Sequence, residues 1–343
     1  MIDERDLDAA VTAGVLDTVQ RERLAQFARD HKRGTAGPDE EQFRLLTGFN
    51  DIFVTIAVGL VLFAVAALGG LVAPVVGAAG VAGASWGLAE YFTRQRRMAL
   101  PAIVLLLTFV GAVMAVLVML LTGSGSVEFG DSRAAMSPGV IVAAAGTAAA
   151  AWLHWRRFMV PITVAAGAGV LVIMVLAMFM MVNDPGGPGL SVALAICGLA
   201  VFAFAMWADA RDRARVTRWS DVAFWLHLLA APLIVHPVFS LAGLLDPTPA
   251  PGAAVAVIAV YVALTIVALA IDRRALLVSA LGYVIYAIQT LIGRGEGFSA
   301  SFGITALLIG LFLVALSAGW RPIRRRVIAL LPQGIAGRLP AAA

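Results

Sequence analysis

Wound at 100° per residue, Ser279, Tyr283, Tyr286 and Thr290 fall within about 60° of one another, and Gln289 lies at the edge of that stripe. Hydroxyls and an amide on one side of an apolar segment suit either of two tasks. They can line a polar cavity or pathway, or they can form hydrogen bonds between helices worth only about 0.6 kcal/mol each. Tyr261 is likewise in the middle of an apolar run, with Thr265 one turn on. A further apolar run carries His227, Pro232, His236 and Pro237. Pro232 has no N–H to give the Leu228 carbonyl, so a kink or break is expected there, and interrupted helices are where transporters often bind ligands. His227 and His236 point about 180° apart on a helix and cannot share a metal ion. A proton-sensing or packed His227 is the expectation. No metal or haem site is expected, and no cofactor.

The remaining polar residues have local explanations. Asp51 and Asp221 open apolar runs, where the helix dipole favours an acid. Glu90 precedes Arg94 by four residues and should pair with it. Met174, Met178 and Met181 share a face as lipid-facing or core filler. No acid falls at mid-depth in an apolar run, which disfavours a carboxylate-driven antiporter. GxxxxGK[ST], GxSxG, HExxH and CxxC are all absent, so ATP hydrolysis, serine hydrolysis and zinc proteolysis lose their usual signatures. No enzyme is expected. An intramembrane enzyme would need His227 within hydrogen-bond reach of Tyr283 or Asp221.

These residues must be positioned by lipid-embedded helices. The chain of 343 residues is 61% hydrophobic and 13% charged, with a mean hydropathy of +0.93. Soluble domains run near 25% charged, and one core of this size could not hide so much apolar surface. Ten apolar runs lie near 51–69, 71–92, 99–122, 138–154, 158–182, 190–208, 220–243, 253–271, 275–292 and 301–319. At 1.5 Å per residue each spans roughly the 30 Å of hydrocarbon, and lipid leaves backbone groups no partners but each other. The fold class expected is all-α: a polytopic membrane bundle of about ten transmembrane helices with a small N-terminal cytosolic helical hairpin.

Arginine sets the orientation. Arg94/Arg96/Arg97, Arg156/Arg157, Arg211/Arg213/Arg215/Arg218, Arg273/Arg274 and Arg321/Arg324/Arg325/Arg326 recur after every second run, as cytoplasmic loops should. With Arg338 that side carries sixteen, against Arg133 and Arg294 opposite, so both ends are expected in the cytoplasm. Trp86, Trp152, Trp155, Trp207, Trp219, Trp225 and Trp320 fall toward the same side and read as an interfacial belt; His154, beside Trp155, is placed there too. Ala79, Gly83 and Gly87, residues 143–151 (AAAGTAAAA) and 165–169 (AAGAG) form small-residue stripes for close helix approach. A net charge of +4 and a pI near 9.8 do not imply nucleic acid, because the basic residues lie at helix ends and form no patch. Cys197 is alone, so no internal disulfide exists. One lysine against 24 arginines, with abundant Ala and Gly, reads as a bacterial compositional bias.

Residues 1–45 are mostly polar, and Leu7, Val11, Val15, Leu16, Val19, Leu24 and Phe27 recur at helical spacing about Gly14. The expected division is a cytosolic hairpin and linker at 1–45, a membrane domain at 46–322, and a basic cytosolic tail at 323–343. With the first apolar run beginning near Ile52, no cleavable signal peptide is expected.

The stretch Ala13-Gly14-Val15-Leu16-Asp17-Thr18-Val19-Gln20, running to Leu24 and Phe27, resembles the N-terminal helices of the bacterial membrane proteins of domain-of-unknown-function family 2157. The close, Gly319-Trp320-Arg321-Pro322 with Arg324–Arg326 and Leu330-Leu331-Pro332, looks like their tails. The resemblance implies a multi-pass bacterial inner-membrane protein and assigns no catalytic residue.

Two functions remain open. One is a transporter or permease for a small organic molecule or lipid, with His227, Tyr261, Tyr283, Tyr286 and Gln289 lining the path. Ten helices with both ends inside permit a five-plus-five inverted repeat. The other is a membrane scaffold or regulator whose N-terminal hairpin binds a cytosolic protein. The lipid bilayer is the partner common to both.

Overall fold

In the computed structural model, residues 4–35, 49–124, 137–183, 187–212, 217–243, 253–274, 277, 281–282, 284–285, 300–332 and 334 are described. They contain helices and turns and no strand. The chain divides into two compact units, Met1–Gln42 with Ala343, and Phe43–Ala342.

The first unit holds α1 (Glu4–Thr12) and α2 (Thr18–Thr35). Gly14 supplies the left-handed turn between them at φ 71°. The α2 start is a reciprocal cap: Gln20 N–H donates to Asp17 Oδ1 at 2.6 Å, and Asp17 N–H to Gln20 Oε1 at 3.0 Å. Arg21 pairs with Asp8 of α1 at 2.8 Å. Leu7 and Ala25 are buried, whereas Val15, Val19 and Phe27 are exposed.

The second unit runs α3 (Phe49–Gly70), α4 (Pro74–Ala89), a π-helical turn (Glu90–Gln95), α5 (Ala99–Thr122), α6 (Pro138–Phe158), α7 (Ile162–Met180), α8 (Pro188–Arg211), α9 (Arg218–Leu241), α10 (Ala253–Ile271), α11 (Ala300–Ala318) and α12 (Trp320–Leu330). Proline opens α4, α6 and α8, where its missing N–H needs no partner. Ser137 caps α6 and Thr217 caps α9, accepting from the N–H of Gly139 and Trp219. Gly123 closes α5 at φ 68°.

Among the described residues five helices are long and apolar enough to cross a membrane: α3, α5, α7, α8 and α9. A sixth is reached if α11 and α12, bent by 74°, count as one broken span. The other runs fall short for identifiable reasons. Helix α4 has 16 residues, α6 carries His154, Arg156 and Arg157 in its last turns, α10 counts only as a shorter apolar helix over Ile258–Ile271, and most of 275–292 is outside the described residues. The exposed faces of the long helices are themselves apolar. Of the 22 residues in α3 only Asp51, Val58 and Leu62 are buried, while Leu60 and Phe63 are exposed. Such a helix is matched to lipid rather than water.

Helices adjacent in sequence pack together, α3 on α4 on α5, α5 on α6 on α7, α8 on α9, with α7 also against α9. Close approach is made at Gly146 of the α6 stripe, where a Cβ would lie 2.9 Å from Leu117 Cδ1, and also at glycines that the stripes do not single out. A Cβ on Gly77 would lie 2.7 Å from the Ala66 carbonyl oxygen, and one on Gly198 2.8 Å from the Leu233 carbonyl carbon, whereas Gly83 and Gly87 face open space. The alanine run of α6 does pack, with Ala143 and Ala144 fully buried.

Candidate functional site

Among the described residues a concentrated set of buried charges is built where α8, α9, α10 and α12 present their arginine-rich ends. Helix α8 ends on Asp209, Arg211 and Asp212. Asp212 Oδ2 accepts from the Thr217 N–H at 2.7 Å and its hydroxyl at 2.6 Å, tying the end of α8 to the start of α9. One helical turn back, Asp209 turns inward. His227 of α9, with no exposed surface, places Nε2 3.0 Å from Asp209 Oδ2. Arg273 grips the same carboxylate from both sides. Its Nε donates to Oδ2 at 3.2 Å and its Nη2 to Oδ1, while Nη2 also reaches the Ser220 carbonyl at 3.3 Å. Paired, hydrogen-bonded geometry of this kind is what lets charges exist away from water.

The chain delivers Arg273 there through an uncommon backbone turn. Asp272 follows the last residue of α10 at φ 58°, a left-handed position usually held by glycine. Arg273 N–H returns to the Ala268 carbonyl at 2.9 Å, closing the helix. After this turn three consecutive side chains take three different partners. Asp272 accepts from Trp320 Nε1 at 2.8 Å and lies 3.6 Å from Arg324 Nε. Arg273 meets Asp209. Arg274 lies over the Trp320 ring, 4.8 Å from its centroid. Trp320, Asp272, Arg273 and Arg324 are all buried. Trp320 therefore departs from the interfacial belt expected of it, because its indole N–H is committed to Asp272.

Beside this cluster a cleft of about 160 Å³ opens. Tyr261, Leu277, Leu313, Leu316, Arg274 and Trp320 line it. Tyr261 is buried, and among the described residues its hydroxyl has no hydrogen-bond partner.

The sequence candidates fall as follows. His227 is buried on Asp209, and Tyr261 lines the cleft. Tyr283, Tyr286 and Gln289 lie outside the described residues, as does Thr290. Helix α9 continues through Pro232 and Pro237 from Arg218 to Leu241. Pro232 removes one hydrogen bond without ending the helix, because burial of Ala230, Ala231 and Val235 holds the flanking turns in place. His236 is exposed while His227 is buried, as their opposite facing requires. His154 is not at a water interface. It is buried among Trp86, Phe109 and Phe158, with ring centroids 5.9, 5.6 and 4.5 Å away. Glu90 pairs with Arg94 at 3.2 Å as expected, yet its closer contacts are to Arg157 of α6 at 2.6 and 3.0 Å. Among the described residues no group of three ligands could hold a metal.

Asp209, Asp272, Arg273, Trp320 and Arg324 escaped sequence reasoning as site residues. All but Arg324 stand at a helix end, where a loop charge or belt tryptophan explains them equally well, and Arg324 belongs to the basic run of α12. The one available signal was the pairing of Asp209 and Asp272 with neighbouring arginines at the close of apolar runs. No protein-family model matches the chain, and comparison with curated proteins and with solved structures finds no match.

Proposed function

We propose that this chain is a permease of a bacterial inner membrane, moving a small organic molecule or lipid. The reading includes about ten crossings, both termini in the cytoplasm, and the layout of the family 2157 proteins that its ends resemble. The observation that carries it is the Asp209–His227–Arg273 cluster. Buried ionisable groups are expensive in a lipid-embedded bundle and mark transport paths and relays, and this one links three helices through a single carboxylate. A structural clamp alone is served as well or better by apolar packing. The cleft at Tyr261 gives such a path a place for a ligand. No catalytic centre is proposed: His227 Nε2 is committed to Asp209.

The test is reconstitution of the full chain in liposomes with fluorescent phosphatidylglycerol and phosphatidylcholine in one leaflet. Movement of a label at least several-fold faster than in protein-free liposomes is expected. No acceleration of either label removes the lipid arm of this reading.

A second reading is favoured by a separate observation. Val15, Val19 and Phe27 expose apolar surface on the α1–α2 unit, more than so small a unit needs for its own core. In that reading these helices form a cytosolic hairpin that docks a soluble protein and the bundle is its platform. A photo-crosslinker at Val19 in the full chain should then capture one defined protein in cells, and a Val19→Asp, Phe27→Asp variant should lose it.

A further inference from the structure

Arg273 and Arg274 are consecutive and have opposite fates. Arg273 is buried and fully engaged by Asp209 and Ser220. Arg274 is exposed, and among the described residues its guanidinium has no carboxylate partner, only the face of Trp320. That face is itself held. Trp320 is fixed through its N–H by Asp272, which Arg324 approaches from the other side. The result is a positioned cation at the mouth of the cleft, with its planar hydrogen-bonding edges unspent among the described residues.

Tyr261 lines the same cleft; the residue is 5% exposed, and among the described residues its buried hydroxyl has no hydrogen-bond partner. A buried hydroxyl left unmatched is unfavourable by roughly 1–3 kcal/mol, so it too points to a missing acceptor. Leu277, Leu281, Leu313 and Leu316, with Ser317, supply the rest of the lining. Beyond the mouth, Arg325 and Arg326 of α12 are exposed, and basic residues flanking a membrane segment draw in anionic lipid.

We propose that this cleft is a binding site for an anionic amphiphile. Its phosphate or carboxylate pairs with Arg274, an oxygen of the same molecule accepts the Tyr261 proton, and the adjoining apolar portion packs on the leucines. At about 160 Å³ the cleft takes only the part of the molecule nearest the headgroup, and the remaining chain lies in the bilayer. The inference supplies a ligand class for the transport reading. Binding, however, is measured at equilibrium without flux: a chain that binds but moves nothing leaves this site standing and removes the other reading.

The full chain in neutral detergent is titrated with phosphatidylglycerol, a long-chain fatty acid and phosphatidylcholine, and bound lipid is counted by native mass spectrometry. At least one anionic probe should bind about tenfold more tightly than phosphatidylcholine. Phosphatidylglycerol alone would identify a phosphate headgroup, and the fatty acid alone a free carboxylate. Arg274→Gln should weaken the anionic probe about tenfold or more, as expected for a charged hydrogen bond. Tyr261→Phe should weaken it several-fold without lowering the melting temperature, because no hydrogen bond to the described residues is lost. Arg325→Gln should have little effect. Equal binding of phosphatidylcholine, equal losses in Arg274→Gln and Arg325→Gln, or unchanged binding in Tyr261→Phe overturns the site. Should Arg274→Gln fail to fold, Tyr261→Phe decides alone.

Discussion

Arg273, just past the end of α10, closes on Asp209 in the last turn of α8, 64 positions earlier in the chain. His227 of α9 completes the contact on the same carboxylate. Three helices that share mostly apolar surfaces are thereby fixed in register by one charge-dense point.

Removing one member leaves the others buried with a charge partner lost. Arg273→Ala or Asp209→Ala should each destabilise the fold by about 3–5 kcal/mol. The double replacement Asp209→Leu, Arg273→Met should cost clearly less than the sum of the single changes. Equilibrium unfolding in mixed micelles measures this, and strict additivity would mean the two residues do not interact.

Asp272 has two roles that substitution separates. Asn tolerates the left-handed backbone and can still accept from Trp320, whereas Ala does neither. Asp272→Asn should therefore be milder than Asp272→Ala, with a residual loss of about 1–3 kcal/mol from the lost charge pairing with Arg324. Thermal melts of the three proteins give the order, and equal losses would place the whole effect in the charge.

Helix crossings make a contrasting pair. Gly198→Ala drives a methyl into the Leu233 backbone and should cost about 1–3 kcal/mol. Gly83→Ala meets open space and should be neutral or stabilising by up to about 1 kcal/mol, since glycine is the poorer helix former. If both behave alike, the close approach of α8 and α9 at Gly198 is wrong.

That contrast also shows how far the sequence could be read. The apolar runs were legible because a lipid-matched helix needs only length and composition, both local properties. Gly77 and Gly198 were not distinguishable from Gly83, because contact depends on which face of a helix meets a neighbour, and helices that are apolar all round carry no such mark. His227 and Tyr261 could be found, since a polar side chain deep in an apolar run stands out. Their partners could not. Arg273 lies where the positive-inside rule already accounts for its charge, and Asp209 and Asp272 stand beside arginines that could pair with them at a surface, so burial and loop exposure predict the same residues. Trp320 was misread for that reason: an indole at a helix end satisfies an interface or a buried carboxylate equally well.

Orientation has its own test. With Cys197→Ser as background, Ser126→Cys should react with a membrane-impermeant maleimide on whole cells, and Arg97→Cys should react only after the membrane is opened. The reverse pattern would invert the topology.

The account rests most heavily on the buried cluster serving movement across the membrane rather than packing alone. The direct measurement is liposome flux of whichever fluorescent lipid the native chain moves, by a His227→Gln protein whose melting temperature is shown to be close to that of the native chain. Glutamine can still donate to Asp209 but cannot hold a second proton. Flux reduced by about tenfold or more at unchanged stability is the predicted result; native flux from the folded variant would contradict it.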